Sequence, residues 1–272
     1  MPATAPAVSD TLYEIELQDG ESYVGRIVAS AGDTLTLRTA AGATIRFPTS
    51  RIASVHPARG RVVHGEFWRE DPNATRLFFS PTGRSLARGE GYVGVLEVFV
   101  PYVGLGFSDR VMISGGSPFY LVPWTDGLVP VYFQPQLQVV ARQDLAAAVG
   151  TVAMYLPDDG GDDEIFGVAY GVASYGTPDN SVTGGLGWGY VRSDFSPTPV
   201  VMIGGQTRVS RSIKLMTENL FVPGEEGVIV SGGLRFLGER LSADAGLAAL
   251  TGEDGGCCFP MVNINYRFGP QR

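Results

Sequence analysis

The chain has 272 residues, 44% hydrophobic and only 18% charged, a charged share below the roughly 25% usual in soluble domains. Its formal net charge of -8 and pI near 4.8 exclude a binder of nucleic acid or anionic lipid that works by clustered Lys and Arg; Lys214 is the only lysine. No segment approaches the roughly 18 uninterrupted apolar residues of a transmembrane helix, which excludes a helical membrane protein. The opening MPATAPAVSD has neither a basic region nor an apolar run, and residues 1–11 read as a flexible N-terminus that suits a mature chain whose signal has been removed.

Residues 12–57 read as a small all-β domain. Strands are expected at 12–17, 23–28, 34–39 and 44–47, with turns at Asp19-Gly20, Gly32-Asp33 and Ala41-Gly42. Alternation puts Tyr13, Ile15 and Leu17 on one face, then Leu35 with Leu37 and Ile45 with Phe47, the period of half-buried strands. The pattern is that of an SH3-like or Sm-like small barrel, either binding a periplasmic partner or folded without chemistry of its own. Residues 58–73, with Arg59, Arg61, His64, Phe67 and Trp68, read as a linker, and residues 269–272 as a tail.

From Ala74 to Phe268 the chain becomes a series of alternating segments of about ten residues, the length that crosses a bilayer as a tilted strand. Twelve are expected: 75–80, 91–107, 110–122, 128–141, 145–156, 164–175, 181–192, 199–209, 212–222, 228–237, 240–250 and 259–268. Their connections alternate between tight turns, such as Ser108-Asp109 and Gly238-Glu239, and longer links, such as Pro81–Glu90 and Pro157–Asp163. Strict alternation of short and long connections is the pattern of an antiparallel up-and-down outer-membrane barrel, with both barrel ends on the short-turn, periplasmic side.

A soluble barrel also alternates, so the identity of the second face must discriminate. On 128–141, Val131, Phe133, Leu137 and Val139 oppose Gln134, Gln136 and Gln138; on 259–268, Val262, Ile264, Tyr266 and Phe268 oppose Asn263, Asn265 and Arg267. On 164–175, Phe166, Val168, Tyr170 and Val172 oppose Gly167, Ala169, Gly171 and Ala173, and on the next strand Leu186, Trp188 and Tyr190 oppose three glycines. A soluble protein would place Lys, Glu and Thr on its wet face. Small and amide residues suit a crowded barrel interior, and large apolar ones suit lipid. On this reading the large residues of each strand face outward, although Ile165, Ile203 and Ile229 then fall on the interior face. Aromatics gather toward the long-loop side (Tyr155, Tyr190, Phe221, Phe259) and the short-turn side (Phe107, Tyr175, Phe236, Phe268), as two interfacial belts would.

The stretch Asp71–Tyr92 (DPNATRLFFSPTGRSLARGEGY), the Gly-Phe-Ser-Asp turn at Gly106–Asp109, and Thr217-Glu218-Asn219 with Phe221 resemble a family of uncharacterised bacterial proteins regarded as outer-membrane barrels. The resemblance covers residues 60–268 and implies no catalytic residues. It implies outer-membrane lipid and the barrel assembly machinery as partners, Phe268 resembling the terminal aromatic which that machinery reads, with four residues following it.

The chemistry expected is sparse. Barrel enzymes generally use a histidine as base, and no histidine follows His64, so no catalytic residue and no cofactor is expected. The polar interior face carries Glu97, Lys214, Glu218, Arg235, Asp244 and Arg267 beside Gln134, Gln136 and Gln138. Buried charges must pair or line water, which gives either a salt-bridged closure of the lumen, the favoured reading, or the lining of a narrow pore. Asp158, Asp159, Asp162 and Asp163 around Gly160-Gly161 form a weak Ca²⁺ candidate, an acidic surface loop being the commoner explanation. Cys257 and Cys258 could form a vicinal disulfide or stand as two thiols. Three functions follow: a non-enzymatic outer-membrane barrel, channel or structural; a soluble periplasmic barrel binding a small apolar ligand; or a histidine-free barrel enzyme pairing Glu218 with Asp244.

Overall fold

The computed structural model describes residues 11–119, 121, 129–157, 164–224, 227–252, 256 and 259–269; the candidate calcium loop and the Cys257-Cys258 pair lie outside them. The chain falls into two compact units that divide between Glu70 and Asp71.

The first unit contains β1 (Leu12–Leu17), β2 (Ser22–Ala31), β3 (Thr34–Thr39), β4 (Thr44–Pro48) and β5 (Ile52–Pro57) in one antiparallel sheet of order β4-β3-β2-β1-β5. Gly20 and Gly42 make the tight turns with φ of +86° and +88°, values open to glycine at little cost. Ile15, Leu17, Ile27, Leu35, Leu37 and Phe47 form the core, which is the face alternation assigned. The architecture shown is a five-stranded sheet, and among the described residues β4 and β5 do not pair to close it into a barrel. Nor is 58–73 a plain linker: β6 (Gly60–Val63) and β7 (Glu66–Arg69) form a hairpin, and Asp71–Asn73 belong to the second unit.

The second unit is a closed antiparallel barrel. Its strands are β8 (Gly91–Leu96), β9 (Val100–Gly106), β10 (Val111–Gly116), β11 (Val131–Ala141), β12 (Leu145–Leu156), β13 (Glu164–Gly176) and β14 (Asn180–Val191). After the two-residue β15 (Asp194–Phe195), the wall continues with β16 (Val200–Ser210), β17 (Ile213–Phe221), β18 (Val228–Leu237), β19 (Leu241–Leu250) and β20 (Phe259–Phe268). Each wall strand pairs with the next, β14 joins β16, and β20 returns to β8 with Phe268 opposite Gly91, so twelve strands close the ring.

The strand number agrees with the sequence reading, but the expected 110–122 strand ends as β10 at Gly116, and two other segments were parsed differently by the fold. Thr75–Ser80 is not a wall strand: Leu77 and Phe78 on its two alternating faces are both fully buried, and Leu77 N–H bonds Ser80 O in a tight turn. The expected 91–107 strand is instead a hairpin, β8 and β9, turning at Glu97 and Val98 with φ of +50° and +64°. Glu97 therefore sits in a turn rather than on a strand face. This turn is a short connection at the long-loop end, three residues between Leu96 and Val100.

Facing follows expectation on β11 and β20, where Phe133, Leu137 and Ile264 are exposed and Gln136, Gln138, Asn263 and Asn265 are buried. On β13 the expected facing is reversed: Val172 and Ser174 are buried and Tyr175 is exposed, so the large Val168, Tyr170 and Val172 point inward and Ala169, Gly171 and Ala173 outward. The reason is cross-strand complementarity. Tyr170 and Val172 stand opposite Gly187 and Gly185, while outward Gly171 and Ala169 stand opposite Leu186 and Trp188. Each pair holds one bulky and one small residue, and bulk on one strand alone does not reveal its side. Ile165 and Ile203 face outward, 47% and 51% exposed, and Ile229 keeps interior parity at the exposed rim. Outside, apolar side chains recur all round the ring.

Candidate functional site

The lumen is occupied by the chain itself. Residues 71–90, a stretch rich in Pro, Gly, Arg and Ser without sustained alternation, run through the barrel before β8 begins, and Asp71, Asn73, Leu77, Phe78 and Thr82 are at most 1% exposed. Small wall residues make room for this plug. Leu77 lies over Gly204, where an added Cβ would come within 2.4 Å of its Cδ1, and Gly83 lies against the β12 backbone, its would-be Cβ 2.1 Å from Ala146 O.

The plug carries few regular backbone bonds of its own, so the wall must satisfy its polar groups. Glu218 does so at one turn, its carboxylate accepting the N–H groups of Phe78 (2.9 Å), Phe79 (3.1 Å) and Ser80 (3.1 Å) and the Ser80 hydroxyl (2.7 Å). Asn263 donates to Phe78 O at 3.1 Å. From β11, Gln136 donates to Arg84 O (2.8 Å) and Gln138 to Gly83 O (3.0 Å), while Ser174 accepts Gly83 N–H at 3.0 Å.

At the centre is a buried ion network. Arg235 grips both carboxylate oxygens of Asp244, at 2.7 and 2.9 Å, and donates to Asn73 O (2.6 Å) and Leu77 O (2.8 Å) of the plug. Asp71 stands 3.4 Å from Arg235 and receives the Lys214 ammonium, which also donates to Gln206 at 3.1 Å. Arg267 donates to Glu90 at 2.7 Å where plug meets β8. A buried pair of this kind repays its desolvation only with good geometry and further hydrogen bonds, and these charges have both.

Beyond the plug, toward the long-loop end, lies a cavity of about 550 Å³. Its walls are mostly hydrocarbon, from Val152 and Met154 of β12, Val168 of β13, Met202 of β16 and Leu220 of β17, and its floor is formed by Arg76, Phe79 and Pro81 of the plug. Tyr132, Gln134 and Tyr170 add polar atoms, and Glu97 and Pro118 also line it. Tyr170 donates to Gln136 (2.9 Å) and accepts from Gln134 (3.2 Å).

The structure thus brings Lys214, Glu218, Arg235, Asp244, Gln136 and Gln138 onto the plug, Arg267 to its end, and Gln134 and Glu97 to the cavity. Glu218 and Asp244 are each engaged by plug or wall donors and neither lines the cavity, so they do not form the open carboxylate pair of an enzyme site. Among the described residues no cluster of three metal-ligating side chains occurs. Sequence reasoning missed Asp71, Asn73 and Arg76. The available signal was the break in alternation between Pro81 and Glu90 immediately before the first regular strand, together with an Arg inside a supposed lipid-crossing segment.

No protein-family model and no curated protein matches the chain. Among solved structures it is similar to the KdgM porin, at 7% identity over 67% of this chain and 99% of that one, with a TM-score of 0.44. The KdgM porin in complex with disordered oligogalacturonate gives 7% identity and a TM-score of 0.45 with the same coverage. Outer-membrane expressed OmpT of Vibrio cholerae matches over 94% of this chain and 95% of its own, at 11% identity and a TM-score of 0.36. Likenesses of this degree carry no argument about what the barrel does.

Proposed function

We propose that the protein is a non-enzymatic barrel of the bacterial outer membrane, closed by its own residues 71–90 and acting as a structural surface protein or a gated channel rather than an open pore. The observation that carries this is an inverted distribution of polarity. Arg235, Lys214, Asp244 and Glu218 are at most 3% exposed inside the ring, while Phe133, Leu186, Ile203, Leu247 and Ile264 are 43–54% exposed outside it. A monomeric soluble protein rarely leaves a contiguous apolar surface of more than a few hundred Å² in water, whereas a membrane barrel needs an apolar band about 25 Å tall. Phe107, Tyr175 and Phe236, 46–66% exposed near the short-turn end, suit an interfacial girdle. Residues 12–57 are read with it as a periplasmic appendage.

The test is expression with an export signal, followed by fractionation, gel mobility with and without heating, and planar-bilayer recording. A heat-modifiable band in the outer-membrane fraction and silent bilayers are expected, with conductance appearing in Glu218→Gln, where the plug loses its anionic acceptor. Recovery in the soluble fraction without a mobility shift defeats the membrane reading; steady conductance of the unaltered protein defeats closure.

A further inference from the structure

The cavity above the plug has the volume of a small-molecule site, which runs from about 300 to 1,000 Å³. Three of its polar groups lack the partners their burial demands: Arg76, the Tyr132 hydroxyl and Glu97 Oε1, of which the first two call for an anion. Arg76 is 5% exposed and carries a full charge, yet its guanidinium meets no carboxylate among the described residues. It donates to the Tyr92 hydroxyl at 3.0 Å and lies over the rings of Tyr102 and Tyr92, 4.2 and 5.1 Å from their centroids. These contacts use one of its five N–H donors and part of its charge. Tyr132, 9% exposed, has a buried hydroxyl with no hydrogen-bond partner. Both residues line the cavity, and Tyr132 lies within electrostatic reach of Arg76.

A buried cation without a counter-charge and a buried hydroxyl without an acceptor are each costly, and one small anion answers both. We propose that the cavity binds a monocarboxylic acid with a hydrocarbon body, its carboxylate received by Arg76 and the Tyr132 hydroxyl and its apolar part packed among Val152, Met154, Val168 and Met202. A carbohydrate would need rows of hydrogen-bonding groups that these walls lack. The inference depends on the closed barrel and its plug, not on the membrane assignment, so a soluble barrel would test it equally.

Calorimetric titration of the folded, full-length protein in mild detergent with octanoate and with 1-octanol tests it, heat-modifiable gel mobility reporting folding. Octanoate is expected to bind at least tenfold more tightly than the alcohol. Tyr132→Phe and Arg76→Met should each remove most of that preference, and Val168→Trp, which fills the space, should abolish binding of both. If Arg76→Met does not fold, Tyr132→Phe and Val168→Trp decide. Absence of octanoate binding, equal binding of acid and alcohol, or octanoate affinity unchanged in the folded variants overturns the proposal.

Discussion

Arg235 and Asp244 are direct cross-strand partners on β18 and β19, and their side chains meet in a two-point contact of 2.7 and 2.9 Å inside the barrel. The same guanidinium holds Asn73 and Leu77 carbonyls, so one wall residue ties two neighbouring strands to the plug. Fork geometry matters here, because a lysine could not serve both carboxylate oxygens and the carbonyls at once.

Arg235→Met should therefore destabilise the barrel by about 3–5 kcal/mol, the scale for stranding a buried charge. The double variant Arg235→Met with Asp244→Leu should be less damaged than the single one, since no charge is left alone. Urea midpoints of the gel-shifted band measure both; a double variant worse than the single would contradict the ion-pair account.

Gly83 sits where an added Cβ would approach Ala146 O to 2.1 Å. Backbone on both sides cannot yield cheaply, so Gly83→Ala should cost about 1–3 kcal/mol, the range for overpacking. The strain falls on the plug rather than the ring. Trypsin cleavage at Arg84 or Arg88 is expected to rise in Gly83→Ala while the heat-modifiable band persists.

Phe133 is 51% exposed and points outward from β11, opposite Gly115 and Ala153 on its neighbours. Phe133 is the third residue of β11, so replacing it by Arg should cost about 1–2 kcal/mol if lipid lies there, between the interfacial and midplane values. Outer-membrane yield should drop in Phe133→Arg, while Phe133→Leu should match the parent. A full yield of Phe133→Arg would place this face in water.

Glu14 receives both Arg69 amino groups at 2.7 Å, and these hydrogen bonds hold its carboxyl below the usual range against the opposing effect of burial. A carboxyl lowered in the folded state stabilises fully above its unfolded value, near about 4.3, and that contribution fades as pH falls through the lower folded value. Amide-exchange protection of β1 in the full chain should thus weaken at acid pH. Glu14→Gln should show lower protection at neutral pH and a flatter pH profile.

The local code wrote much of this molecule. Period-two alternation in the segments from Val131 onward, broken by turn residues at short and long intervals, fixed an antiparallel barrel, and the run of Gln134, Gln136 and Gln138 opposite Val131, Phe133 and Leu137 identified the buried face of β11. Alternation names two faces, however, and the inward one is chosen by neighbours: β13 turned its large residues in because β14 supplies Gly185 and Gly187 opposite them. The plug was hidden for a related reason. Its hydrogen bonds join positions far apart in the chain, Phe78 to Glu218 across 140 residues and Arg235 to Asn73 across 162, and no local pattern encodes such partners. The sequence determined that charges would face the interior and had either to pair or to line water; only closure of the ring decided that they pair, and that Asp71 and the backbone of residues 73–80 would be what they hold.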